Sequence, residues 1–121
     1  MRQRTVEDIL AEKKLPVVAI DSQGLITFVN QSFEKAYGWT TRELLGQVIT
    51  VIMPPYMRDA HNFGFSRFLI TEQARILNKP LSLPVLCKDG TETMAEHYIT
   101  GDKFHDTWRF AATIIPKDKV T

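Results

Sequence analysis

The chain has 121 residues, enough for one hydrophobic core and too few for two, and its 44% apolar and 24% charged content excludes a disordered or fibrous polymer. Its formal net charge is +1, with Lys and Arg scattered and only Lys13 and Lys14 adjacent, so no basic stripe exists for nucleic acid or an acidic membrane surface. A single cysteine, Cys87, excludes an internal disulfide and suits a reducing, cytoplasmic location, while no apolar run is long enough to span a bilayer and no signal-peptide pattern opens the chain.

Thr5 to Leu10 combines a capping residue, early acids and then apolar positions, which predicts a short helix ended by Pro16. Val17 to Ile20 is β-branched, Asp21 to Gly24 is turn chemistry and Leu25 to Val29 is a second run, so a hairpin is expected. Asn30 caps a helix through Phe33, Ala36 and Tyr37, closed by Gly38; Thr40 or Thr41 opens another turn that Gly46 closes. From Tyr56 to about Ile70 the pattern is helical. At the helical period Met57, His61, Gly64, Phe65 and Phe68 share one narrow stripe, with Arg58, Asp59, Asn62 and Ser66 opposite. Strand patterns follow over Leu81 to Cys87, where Pro84 marks an edge or bulge, and over Thr91 to Thr100 after the turn Lys88-Asp89-Gly90. Gly101-Asp102 reads as the opening of a hairpin loop, and the last strand spans Trp108 to about Ile115. Two strands, several short helices and three strands make an α+β protein: a five-stranded antiparallel sheet with helices on one face and an N-terminal flanking helix.

Several short features occur in order: Ile20-Asp21-x-x-Gly24, Ile26-x-x-Val29-Asn30, Phe33-x-x-x-Tyr37-Gly38-Trp39, Glu43-Leu44-Leu45-Gly46-Gln47, Met53-Pro54 and Lys88-Asp89-Gly90-Thr91. Each is weak alone, but together and at these separations they resemble the PAS family of sensory modules from about Leu15 to Ile115. The family's common Asp-Ile-Thr ending is replaced by Ile114-Ile115-Pro116-Lys117-Asp118, which leaves open how a signal passes to a C-terminal neighbour. The resemblance implies one domain over residues 1–121, with a core at about 15–115 and residues 1–14 as a flanking helix. It also implies excision from a larger signalling protein of the two-component or cyclic-di-GMP kind, whose output domain is a kinase, a GGDEF-type domain or a chemoreceptor.

PAS domains hold ligands between the sheet and the long helix, which designates Met57, His61, Gly64, Phe65, Phe68, Asn30 and Leu81 as candidate binding residues. The segment Met53-Pro54-x-x-x-Arg58-x-x-His61 with Arg67 is similar to the haem-binding, oxygen-sensing subfamily, where the histidine at the position of His61 holds the iron. A neutral imidazole suits iron and a flat apolar slot suits the macrocycle. Oxygen sensors of this type place a distal arginine where an ungapped count puts Leu81, so an apolar distal side favouring carbon monoxide or nitric oxide is implied, or another sixth ligand. The cofactor stays open between haem b, non-covalent flavin lined by Trp39, Asn30 and phenylalanines, and none, with His61 a structural helix residue. Photoreceptor flavin chemistry requires a cysteine before the long helix, and Val48 to Ile52 has none; Cys87 on a later strand reads as a plain thiol.

Other residues invite less. His97 shares a strand face with Thr93, Ala95 and Ile99, while Glu92 and Glu96 lie on the other with Met94 and Tyr98. His105 falls in a loop, and no further ligand joins these histidines in a metal site. Arg67 and Arg75 are either solvated or placed for an anionic ligand, and Trp108 and Phe110 read as core or dimer contacts. Three functions compete: a ligand-binding sensor; a ligand-free interaction module whose core is filled by Phe28, Phe33, Phe65, Phe68 and Phe110; and an enzyme. No nucleophile–base pair or phosphate loop supports the last. A homodimer is expected, with Val6, Ile9 and Leu10 packing across the axis, and deletion of residues 1–14 is expected to leave a folded monomer.

Overall fold

Elements begin where a side chain satisfies the orphaned backbone groups of a helix start. In the computed structural model, which describes residues 4–71 and 76–117 apart from the side chain of Ile70, Thr5 and Asp8 form a reciprocal capping box that opens α1, Val6–Leu10. After β1 (Val17–Ile20) and β2 (Ile26–Val29), Asn30 caps α2 (Gln31–Tyr37), which Gly38 ends at φ 83°, a left-handed conformation that costs glycine little. Thr40, not Thr41, caps α3 (Thr41–Leu44) in a second box with Glu43. A 3-10 turn over Ile49–Ile52 leads into α4, Pro55–Thr71. Then come β3 (Pro80–Leu86), β4 (Glu92–Phe104) and β5 (Thr107–Pro116).

The five strands pair antiparallel in the order β2-β1-β5-β4-β3. This makes β3 an edge strand, where Pro80 and Pro84 leave no ladder hydrogen bond unmade. The β4–β5 hairpin is longer than the sequence suggests. Gly101 and Asp102 lie within the ladder, opposite Phe110 and Arg109, and the reversal falls at His105 and Asp106, with φ of 53° and 64°. A glycine–aspartate pair is normally a turn signal. Here Asp102 accepts from Arg109 at 2.7 and 3.2 Å across the strands, and a Cβ on Gly101 would stand 2.7 Å from the Phe110 ring. The glycine thus makes room for a ring on the sheet rather than for a bend.

Burial separates the two faces. Val18, Ile26, Val29, Phe33, Tyr37, Leu44, Ile52, Val85, Ala95 and Ile114 form the inner core under α2 and α3. On the outer face Val17, Ala19 and Ala111 pack against Val6 and Ile9 of α1, with Phe28 and Tyr98 beside them. That placement shows where the residues expected at a dimer contact lie in one chain. Val6 is 1% and Ile9 0% exposed within a single chain, so these two cover their own sheet, while Leu10 is half-buried beside them. α1 thus covers an apolar face of the sheet.

Candidate functional site

α4 crosses the inner face of the sheet and rests on it through rings. Phe65 meets Phe110 at 5.5 Å between centroids, and Phe68 meets Trp108 at 4.9 Å and Phe110 at 5.4 Å, all edge-on, the arrangement aromatic quadrupoles favour. The start of α4 is held by Arg58 donating to the Met53 carbonyl at 3.1 Å and by Tyr56 donating to Glu92 at 2.8 Å. Between these anchorages the helix stands off the sheet, and a cavity of about 700 Å³ remains.

The helix wall of the cavity is the stripe read from the sequence: Met57, His61, Gly64, Phe65 and Phe68 all line it, with Ala60 and Arg67. A Cβ on Gly64 would meet nothing within 4 Å, so that part of the wall is open. The sheet wall comes from Val18 and Ile20 of β1, Leu83 and Pro84 of β3, His97 and Ile99 of β4, and Ala112 and Ile114 of β5. The five phenylalanines do not fill the space: Phe28 lies with the outer-face cluster, Phe33 of α2 is in the inner core, and the other three line the cavity, Phe65 and Phe68 each against Phe110.

Two expected residues are elsewhere. Asn30 is a structural junction, its Oδ1 accepting from Val17 (2.9 Å) and Phe33 (3.0 Å) while its Nδ2 donates to Glu12 (3.2 Å) and Leu15 (2.8 Å). All its hydrogen-bonding capacity goes to backbone, so none is left for a ligand. Leu81 sits opposite His97 in the β3–β4 register but is not on the cavity wall, where Leu83 and Pro84 stand instead. Trp39 donates its indole N–H to the Leu86 carbonyl at 3.0 Å and belongs to the core beneath α2.

The polar content of the cavity is mainly imidazole. Burial pushes the His61 pKa below the usual histidine range, and a contact with the Asn62 side chain opposes the shift; among the described residues its Nδ1 is buried without a partner. His97, which alternation alone left unassigned to either face, points inward and is 8% exposed. Burial lowers its pKa as well, against a bond to the Ala95 carbonyl. Both rings are therefore neutral at pH 7. His105 and Glu96 are exposed, Cys87 is buried beside the Thr93 hydroxyl at 3.3 Å, and Arg75 lies outside the described residues. Among the described residues no group of three or more His, Cys, Asp or Glu gathers for a metal ion.

A five-stranded antiparallel sheet carrying short helices and a compartment under its longest helix defines a class of small sensory domain. Residues 6–97 match the PAS fold, and the chain belongs to that family, whose members are generally sensory modules rather than catalysts. It is 27% identical over 101 residues to the sensor protein FixL of Bradyrhizobium diazoefficiens, a match covering 84% of this chain and 20% of FixL. It is 31% identical over 81 residues to an uncharacterized protein of Azorhizobium caulinodans, covering 66% of this chain and 11% of that one. The chain thus spans a fifth or less of these relatives' length. Among solved structures, the PAS domain of an HTR-like protein from Haloarcula marismortui superposes with a TM-score of 0.71 at 18% identity, covering 92% of this chain and 88% of that one. The PAS domain of the quorum-sensing receptor RpfR from Cronobacter turicensis, solved in complex with C12:0, superposes with a TM-score of 0.62 at 18% identity, covering 88% and 99%. No helix among the described residues is long and apolar enough to cross a membrane.

Proposed function

We propose that this chain is the sensory segment of a longer cytoplasmic signalling protein, acting by binding rather than catalysis. It takes up a small, largely apolar molecule between the sheet and α4 and relays the change to a covalently linked output domain. The observation that carries this reading is the 700 Å³ cavity, within the size range of small-molecule sites and lined mostly by aliphatic and aromatic side chains. The likeness to a sensor protein and to a PAS domain holding C12:0 supports it.

The sheet offers a short route for the relay. Val18, Ile20, Ala112 and Ile114 line the cavity, while Val17 and Ala19 carry α1 together with Ala111, which borders both. Successive side chains on a strand point to opposite faces. A ligand that changes the spacing or twist of β1 and β5 therefore shifts the seat of α1 directly, provided it binds the two arrangements with different affinity.

A second reading, favoured by the neutral His61 ring with its buried unpartnered nitrogen, is a haem pocket. His61 would hold the iron, Met57, Phe65 and Phe68 would flank the macrocycle, and Arg67 at the cavity wall would meet an acidic edge group. When bound, haem supplies an iron centre that senses diatomic gases.

Both readings are tested by thermal unfolding of the purified chain with C12:0 fatty acid and, separately, with hemin. A ligand at a hundred times its Kd stabilises by about 2.7 kcal/mol, a rise in Tm of roughly 10 °C for a domain of this size. A Soret band in the wild type that His61→Ala abolishes supports haem. A rise with C12:0 alone supports an acyl ligand. No rise with either probe, and no small molecule released on denaturing the purified protein, overturns the sensor reading in favour of a ligand-free interaction module.

A further inference from the structure

Two imidazoles line one cavity from different elements, His61 from α4 and His97 from β4, and His97 is the better prepared of the two. Its Nδ1 lies 3.2 Å from the Ala95 carbonyl oxygen. A carbonyl can only accept, so Nδ1 carries the proton and the lone pair of the neutral ring is left on Nε2. Anchoring one ring nitrogen on a backbone carbonyl is also how proteins orient a metal-binding histidine and raise the basicity of its other nitrogen.

The Nε2 lone pair is the one that His97 can offer to a ligand on the cavity wall. In the sheet His97 stands between Leu81 of β3 and Ile114 of β5, whose side chains neither donate nor accept a hydrogen bond. Among the described residues no other cavity imidazole is anchored in this way, because the Nδ1 of His61 has no partner there.

From this placement we propose that His97 is the sheet-side axial ligand of an iron-porphyrin whose helix-side ligand is His61, making the cavity a two-imidazole site. This rests on the haem reading above and deepens it, since the sequence placed only Leu81 on that side of the ligand. A haem held from both walls has no vacant axial position, and an external gas must compete with His97.

The test is titration of the purified chain with one equivalent of hemin, read by visible absorption and electron paramagnetic resonance, for wild type, His97→Leu and His61→Ala. The wild type is expected to be six-coordinate and low-spin without added ligand. His97→Leu, which keeps the cavity apolar and filled, is expected to become five-coordinate and high-spin. Its affinity for carbon monoxide should rise on the order of tenfold or more, because an internal competitor is gone. Added imidazole should restore the low-spin spectrum in that variant. A wild type that binds hemin in a five-coordinate, high-spin form overturns the assignment of His97 and leaves the haem reading standing, as does a His97→Leu spectrum identical to wild type. Failure of folded wild-type protein to take up hemin removes both. Should His97→Leu not fold, as judged by circular dichroism, the wild-type spin state alone decides.

Discussion

The β1–β5 ladder contains a proline whose missing donor is replaced by a tyrosine, and this substitution can be measured. The register Val17 to Thr113 puts Pro16 opposite Ile114. Ile114 donates to the Pro16 carbonyl at 2.9 Å, but proline has no N–H with which to return the bond. The Tyr37 hydroxyl supplies it, donating to the Ile114 carbonyl at 2.7 Å from a side chain only 2% exposed. The same burial raises the tyrosine pKa far above its ordinary value, so the donor is present at any working pH. Tyr37→Phe keeps the ring contact with Phe33 at 4.8 Å and opens no cavity, so the loss is that of a buried carbonyl left unpaired, about 2 kcal/mol. For a domain of this length that corresponds to a fall in Tm of about 6–10 °C. In urea the midpoint should drop with an unchanged slope. The decisive arm is a double-mutant cycle with Pro16→Ala, which restores a backbone N–H at that rung: in this background Tyr37→Phe should cost about half as much or less. An equal cost in both backgrounds would refute the replacement argument, as would a cost below about 0.5 kcal/mol in the native background.

Three further perturbations follow from single contacts. Thr113 is 1% exposed and its hydroxyl has no partner among the described residues, so Thr113→Val should raise stability by about 1 kcal/mol in chemical denaturation. Asn30→Ala removes four backbone hydrogen bonds and should cost about 3 kcal/mol, yet leave the affinity of the folded protein for cavity probes unchanged. Gly101→Ala places a Cβ 2.7 and 2.8 Å from the Phe110 ring, driving that ring toward Phe65 and Phe68. It should cost about 1–3 kcal/mol and weaken uptake of C12:0 or hemin, whereas Gly64→Ala, whose Cβ meets nothing within 4 Å, should fold normally.

What the sequence determined by itself was local. The Thr5 and Asn30 caps, a cap at Thr40 or Thr41, the Gly38 stop and the Met57-to-Phe68 stripe were legible because a helix end or face is satisfied by residues within a turn or two of it. The five strands were legible from alternation and turn residues, and the helix side of the cavity followed from one period. Tertiary structure decided everything that depends on which distant segment arrives opposite. Gly101-Asp102 is ladder rather than turn because Phe110 and Arg109 lie across from it. Val6 and Ile9 cover their own sheet because Val17, Ala19 and Ala111 present an apolar face there, and Asn30 is occupied by the backbone of residues 12–17. The sheet wall was the hardest to read. Alternation tells that His97 and Glu96 face opposite ways but not which way is in, and only the pairing of β4 between β3 and β5 beneath α4 puts the imidazole on the cavity. A void is a property of how side chains from four strands and a helix fail to meet, and no single segment carries that information.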